Sequence, residues 1–462
     1  MKLTINYQKL IGDTYTPVEL YLKLRDKYPH SFLLESSDYS SNENSFSYIG
    51  LAPIASYIAD EDKTSITYID GSTRSFNTRE SEVTTELNHF RQSIEITNKA
   101  KVEFLNTGLF GYTSYDSIPL FESISFKPTV KNTPLIQYHF FKYVLVFNHY
   151  NTELYLVEHL SEGESSQLSN LFELINGQKP TSFPFSATQT ESTTNTEEEF
   201  LELIEKGKQH CFRGDVFQLV LSRQFKQKFS GDEFNVYRAL RSINPSPYLF
   251  YFDYGNFKIF GSSPEAQLVI RNNKAYIHPI AGTFKRTGDL AKDQELAKAL
   301  SLDPKENAEH IMLVDLARND LSKHSQKVNI EKLKHVEYYS HVIHLVSKVS
   351  GELQSDFNPI EIFKDTFPAG TLSGAPKYKA MELIDQYENT NRGLYGGAVG
   401  VIKLNGEMNQ AIYIRSILSQ DNELQFQAGC GIVTKSNTQS ELEEINNKLR
   451  AIRTAIIKAQ EL

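Results

Sequence analysis

FPAGTLSGAPKYKAMELID, Phe367 to Asp385, opens the stretch from which the rest of the chain is read. RGLYGGAVGVIKLNGEMNQAIYIRS, Arg392 to Ser416, continues it, and QAGCGIVTKSNTQSELEEINNK, Gln427 to Lys448, closes it. Small-residue patches recur at Pro368-Ala369-Gly370-Thr371, Gly396-Gly397-Ala398 and Ala428-Gly429-Cys430-Gly431. Glycine lets backbone approach a ligand closely and turn its N–H groups toward an anion. Arg415 adds a planar donor fork that fits a carboxylate. Glu441 and Glu444 stand three apart on an expected helix, so they share one face, with Lys448 one turn on. Singly, each has an ordinary reading: glycines between apolar runs make turns and bulges, and a Glu-x-x-Glu face is commonly solvated. Together, two acids, two cations and bare backbone point to a site for a small, multiply charged anion held with a metal.

Composition bounds the rest. The chain has 462 residues, which at roughly 100–200 residues per domain means one large or two to three smaller domains. Hydrophobic residues make up 40%, enough for a substantial core. The net charge of -9 argues against a nucleic-acid surface, which would be basic. It also means that local positive groups or a metal must draw in an anionic substrate. Two cysteines, Cys211 and Cys430, give no disulfide framework and point to a reducing compartment. MKLTINYQKL at the N-terminus lacks a secretory pattern, and no apolar run approaches membrane-spanning length. The expectation is a soluble cytoplasmic protein that binds neither nucleic acid nor membrane.

Working outward toward the N-terminus, residues 1–176 read as α+β. A helix is expected over Pro17 to Tyr28, with Pro17 in its first turn. SFLLES (31–36), FSYIG, ASYIA, TSITYID, FKYVLVFNHY (141–150) and YNTELYLVEHL are rich in β-branched and aromatic residues and read as strands. Their hairpin-length connections predict antiparallel sheet, not a doubly wound parallel one. Residues 177–198 are Ser/Thr/Pro-rich and then acidic, a linker or exposed loop. A helix from Glu199 stops at Gly214, and the strand VFQLVLSRQF (216–225) turns Gln218 to the side opposite Phe217, Leu219 and Leu221. FKIFGSSPEAQLVI (257–270) is strand, turn, strand. LSLDPKENAEHIMLVDLARNDLSKH (300–324) is a helix whose start is marked by Asp303, Pro304 and Glu306; Glu306 and Glu309 share a face, and His310 is a nitrogen donor better suited to Zn than to Mg. HVIHLVSKVSGEL (341–353) alternates as a strand.

These motifs closely resemble the family of chorismate-utilising enzymes, and within it the large subunits of anthranilate synthase. The resemblance is strong from Glu199 to the C-terminus and weaker before it. It implies an α+β fold of large antiparallel β-sheets packed as a sandwich with helices outside. It divides the chain into an N-terminal regulatory region (1–176), a linker (177–198) and a chorismate-binding catalytic domain (199–462). The implied reaction converts chorismate and ammonia to anthranilate and pyruvate, the first step of tryptophan biosynthesis. The ammonia comes from a partner glutamine amidotransferase, since no nucleophilic Cys and His constellation is evident here. An aminodeoxychorismate synthase large subunit and a catalytically silent tryptophan-binding regulator are the alternatives.

By the same resemblance Glu265 assists departure of the C4 hydroxyl, which requires a carboxyl whose pKa is raised by burial. Gln218 stands where relatives that add water carry a basic lysine, and a neutral amide cannot deprotonate water. Ala281 stands where para-aminobenzoate-forming relatives show a lysine. His344 handles protons near neutrality, whereas His341 falls at a variable position. Thr283 and Thr371 orient substrate beside Gly282, Ala369 and Gly370, and Tyr395, Arg415, Gly429, Gly431 and Lys448 hold a carboxylate. Glu309 and Glu444 are implied as direct Mg²⁺ ligands and Glu306 and Glu441 as outer-shell groups, an all-oxygen set that suits Mg²⁺. Glu35, Ser36, Pro245, Ser246, Pro247 and Tyr248 match the tryptophan feedback site. Ser45 departs from the basic residue that many relatives carry, and Leu249 from a methionine.

Overall fold

Alternating Val, Ile, Tyr and Phe build the paired strands of this chain, and the computed structural model describes residues 2–36, 46–98, 100, 103–128, 133–338 and 342–462. Of Glu103, Thr283 and Lys305 the backbone alone is described. Ser45 and His341 lie outside the described residues.

One antiparallel ladder connects the strands. From Gln218–Gly231 it runs through Glu423–Ile432, Ser416–Gln420, Phe257–Ser263, Tyr248–Asp253 and Phe32–Glu35 to Phe46–Ala59. From there it continues through Ile136–Asn148, Gly108–Thr113, Ala398–Lys403, Met408–Ile412, Ala266–Arg271 and Lys274–Ile277 to Val342–Glu352. FSYIG and ASYIA, expected as separate strands, are the two ends of one strand, Phe46–Ala59, with a register shift between Pro53 and Ala55. Proline cannot donate to a ladder, so the strand bulges there instead of ending. Residues on both sides of the 177–198 stretch share the ladder, through Phe32–Glu35 on Tyr248–Asp253 and Gly108–Thr113 on Ala398–Lys403. The stretch read as a linker also contains a strand, Phe185–Thr193, paired with Gln218–Gly231. Its Thr and Ser side chains are mostly exposed, so composition hides a strand that is held chiefly by backbone bonds.

The helices lie against this framework, each with identifiable ends. Thr16 caps Pro17–Leu24, which stops short of the expected Tyr28. Thr196 and Glu199 form a capping box for Glu197–Arg213, which ends at Gly214 with φ 82°. Asp303 Oδ1 accepts from Glu306 N at 3.0 Å and starts Pro304–Ser322. Asn437 caps the last helix, Thr438–Ala459. Its buried stripe of Leu442, Ile445, Leu449, Ile452 and Ile456 joins one large apolar core with Leu219, Leu221, Phe426 and Ile432 of the strands. A second core gathers Val314, Ala317 and Leu321 of the Pro304–Ser322 helix against Leu268, Ile270 and Val349. The two helices that carry the paired glutamates are thus seated by separate cores.

Candidate active site

Glu265 occupies the turn between Phe257–Ser263 and Ala266–Arg271, where its carbonyl accepts from Ile412 N at 3.0 Å. Thr371 Oγ1 donates to Glu265 Oε1 at 3.0 Å. Thr371 belongs to the short helix Gly370–Ser373, which follows Ala369. A Cβ on Gly370 would come within 2.1 Å of Leu316 Cδ2, so glycine lets this turn seat against the Pro304–Ser322 helix without displacing that side chain. Burial pushes the Glu265 carboxyl up to about 7, while the Thr371 hydroxyl and the Lys448 charge pull the other way. This carboxyl therefore holds its proton near neutrality.

His344 sits across the site on the strand Val342–Glu352, paired with Thr283. Its Nδ1 is 2.9 Å from Gly282 O. A carbonyl can only accept, so Nδ1 carries the hydrogen and Nε2 the lone pair of the neutral ring. Burial lowers its pKa, and Arg415 adds to that, against the bond to Gly282. Arg415 adopts φ 52°, an uncommon backbone conformation for a non-glycine residue. Burial depresses its guanidinium, and Tyr395 and Glu444 oppose that. Lys448 Nζ reaches Gly429 O at 2.7 Å and Glu444 Oε1 at 2.6 Å. Burial works against its ammonium, yet Glu444 and Tyr395 raise it above its usual value. Glu265, His344, Tyr395, Arg415, Glu444 and Lys448 are linked through these mutual electrostatic effects and form one constellation.

Gln218 closes the site from below. Its Nε2 donates to Glu309 Oε1 at 2.9 Å, and its buried Oε1 has no partner among the described residues. Gly431 lies one strand over, and a Cβ there would meet Gln218 Nε2 at 2.6 Å. Gly429 is equally close-packed: its Cβ would lie 2.8 Å from Leu221 O and 3.0 Å from the Tyr395 hydroxyl. Glu306 faces Gly282, whose Cβ would come within 3.0 Å of its Oε2. Glu441 is buried beside Cys430, and its charge and that of Glu444 add to the burial that raises this thiol. Among the described residues no three acidic, His or Cys side chains are gathered to hold an ion. The donor chemistry still suits a hard divalent cation: the Glu309 carboxylate borders an amide whose oxygen has no partner among the described residues. His310 turns away from this set, with Nε2 2.6 Å from Ser347 Oγ, and burial lowers its pKa to about 4. Phe217 precedes the strand and stays 74% exposed while Leu219 and Leu221 are buried, so it does not share their environment.

One organising residue carries no signal in the sequence beyond its place before GLYGG. Arg392 is fully buried and donates to Leu372 O at 2.6 Å, Val220 O at 2.7 Å and Glu388 Oε1 at 2.7 Å. Glu388 in turn accepts from Ser222 N at 2.8 Å. This pair ties the Thr371 turn to the Gln218 strand, and its guanidinium lies over the rings of Tyr115 and Tyr395.

Away from this centre, the segments expected to form an effector site also meet. Leu249 pairs with Glu35, which sets Ser36 beside Tyr248 at the end of the ladder. Glu35 is buried and accepts from Tyr237 Oη at 2.6 Å and Arg241 Nε at 2.8 Å. Ser246 is buried, Asn244 Nδ2 reaches its Oγ at 3.4 Å, and Pro245 and Pro247 flank it.

Comparison with known proteins follows this geometry. The profile of the chorismate binding enzyme family matches residues 29–454. Anthranilate synthase component 1 of Aquifex aeolicus is 35% identical over 473 residues, covering 98% of this chain and 95% of that protein. The protein of the same name from Neisseria meningitidis serogroup B is 36% identical over 470 residues, again covering 98% and 95%. The crystal structure of anthranilate synthase component I from Streptococcus pneumoniae superposes with a TM-score of 0.76 at 29% identity, over 88% of this chain and 92% of that one. MenF, the menaquinone-specific isochorismate synthase of Escherichia coli, shares the fold with a TM-score of 0.73 at 20% identity, over 98% and 94%. Among the described residues no helix is long and apolar enough to cross a membrane.

Proposed function

The chain belongs to the family of chorismate binding enzymes, and on that premise we propose that it forms anthranilate and pyruvate from chorismate and ammonia. The observation that carries this reading is the pairing of a neutral amide, Gln218, with Glu309 at 2.9 Å, together with a buried, protonatable Glu265. Gln218 cannot activate water. The buried methyl of Ala281 likewise cannot act as a nucleophile. Both features favour ammonia as the attacking group and anthranilate as the product.

Chorismate brings two carboxylates and an allylic hydroxyl. Arg415, Tyr395, Lys448 and the backbone at Gly429 and Gly431 hold one carboxylate. Glu309 and Glu444, with Glu306 and Glu441 in support, would hold Mg²⁺, whose charge would offset that of the other carboxylate. Ammonia adds at C2, and the C4 hydroxyl departs with a proton from Glu265. Thr371 orients the Glu265 carboxyl for that transfer. His344, neutral and with Nδ1 engaged by Gly282, presents Nε2 for the proton shifts that accompany loss of pyruvate. Neither cysteine supplies a thiolate for glutamine hydrolysis: burial pushes Cys211 up to about 11 and Cys430 well above its usual value. Ammonia therefore comes from a separate amidotransferase subunit. Tryptophan bound between Glu35-Ser36 and Asn244–Tyr248 gives feedback control.

The test is the purified chain alone. With chorismate, ammonium and Mg²⁺ it yields anthranilate plus pyruvate, and with glutamine in place of ammonium it yields neither. A product that keeps the enolpyruvyl group overturns the assignment, and glutamine-driven turnover without a partner removes the subunit reading.

A further inference from the structure

A cavity of ≈ 30 Å³ adjoins Glu265 and the Ala369–Thr371 turn and reaches Asp320. Its polar lining is Glu265, Thr371, Gln267, Thr366 and Asp320. Glu309, Leu313, Leu316 and Asp320 are spaced four, three and four along the Pro304–Ser322 helix, so they form one stripe. The cavity thus prolongs the active-site face of that helix from Glu309 toward Asp320. Its volume exceeds the ~10–15 Å³ that one water needs.

The fittings suit ordered water. Lys377 Nζ donates to Asp320 Oδ2 at 2.6 Å and to Thr366 O at 2.8 Å. Gln267 Nε2 donates to the same Thr366 O at 3.1 Å, and its buried Oε1 has no partner among the described residues. Asp320 is 7% exposed. Beyond it lies a more accessible cluster, in which Lys323 Nζ meets Asp365 Oδ1 at 3.2 Å and His324 Nε2 bonds Asp365 Oδ2. The charged groups that act on Asp320 are Lys377, Lys323 and Asp365, and the one that acts on Glu265 is Lys448. Burial raises the Asp320 carboxyl and Lys377 opposes it, so this acid too sits closer to the range in which a proton is exchanged.

The proposed reaction creates a need for such a route. The added nitrogen loses one proton at C2, and the departing C4 oxygen takes the C–O electron pair and one proton from Glu265, leaving as water. Protons balance, but one is released and one consumed at different ring positions. Glu265 must then regain its proton before the next turnover. We propose that Asp320 is a positioning residue for proton delivery, ordering water in this cavity and passing protons from the Lys323–His324–Asp365 cluster to Glu265. This rests on the function proposed above.

The experiment compares wild type, Asp320→Asn and Asp320→Glu in H₂O and D₂O, with ammonium as donor. Asp320→Asn is expected to lower kcat about tenfold while KM for chorismate stays within about twofold, because relay loss removes part of a general-acid effect of roughly 10²–10⁴. The solvent isotope effect on kcat is expected to rise, and Asp320→Glu to restore most of both. An unchanged kcat overturns the relay, and so does a fall in kcat with the wild-type isotope effect. If Asp320→Asn fails to fold because Lys377 is left unpaired, Asp320→Asn with Lys377→Met removes both charges, and the same isotope signature is expected. A folded double variant with wild-type behaviour overturns the proposal. Wild type that makes no anthranilate sinks the functional reading and the relay together, whereas active wild type leaves the variants to decide the relay alone.

Discussion

Replacing Glu265 with Gln is expected to stabilise the protein at alkaline pH while stopping the chemistry. Burial moves this carboxyl from its ordinary 4.5 to about 7. Below pH 4.5 the folded and unfolded chains both hold the proton. Between 4.5 and about 7 only the folded chain keeps it, so stability falls as pH rises through this window. Above about 7 both forms are ionised and the folded chain carries the whole cost of a buried carboxylate. At about 1.36 kcal/mol for each pKa step of one, that cost is about 3 kcal/mol. Glutamine keeps the shape, can still accept from Thr371 and cannot ionise. The stability gap between Glu265→Gln and wild type should therefore be near zero around pH 4.5 and grow to about 3 kcal/mol in favour of the variant by pH 8. Urea unfolding followed by far-ultraviolet circular dichroism at a series of pH values reads this gap, and anthranilate fluorescence reads turnover, expected to fall by about 10²–10⁴. A gap that stays constant across pH would show that the folded state does not hold the proton, and the acid role of Glu265 would go with it.

Three further outcomes follow from named contacts. On the basis of free ammonia, wild-type kcat/KM should decline above pH about 7 as Glu265 ionises; a profile flat to pH 9 would exclude it as the essential acid. Gly431→Ala would thrust a methyl to 2.6 Å from Gln218 Nε2, breaking its bond to Glu309; activity should fall at least about tenfold with little change in melting temperature, and full activity would refute the close packing. Arg392→Met strands the buried Glu388 carboxylate and should cost about 3–5 kcal/mol in denaturant unfolding, with a loss below about 1 kcal/mol contradicting its anchoring role.

Much of this architecture was legible in the residues. The antiparallel class followed from hairpin-length connections between strands, the helix start at Pro17 from a proline in its first turn, and that at Pro304 from Asp303. Two elements were misread for physical reasons. The Phe46–Ala59 strand tolerates Pro53 through a bulge, and the Phe185–Thr193 strand is too polar to announce itself by alternation. The site was legible where side-chain chemistry is distinctive, as at Glu265, His344 and Arg415. It was opaque where the role is to hold other parts. Arg392 reaches Val220 and Lys377 reaches Asp320, partners that lie 172 and 57 residues away along the chain.

By itself the sequence determined which chemical groups are present: an amide and not a base at Gln218, and no side chain at Gly429 and Gly431. Only the tertiary structure decided how those groups behave. It buries Glu265 so that its proton persists near neutrality, holds His344 by Nδ1, and joins Lys448 to Glu444. A pKa and a tautomer depend on desolvation and on neighbours brought together by folding, and no linear spacing records either.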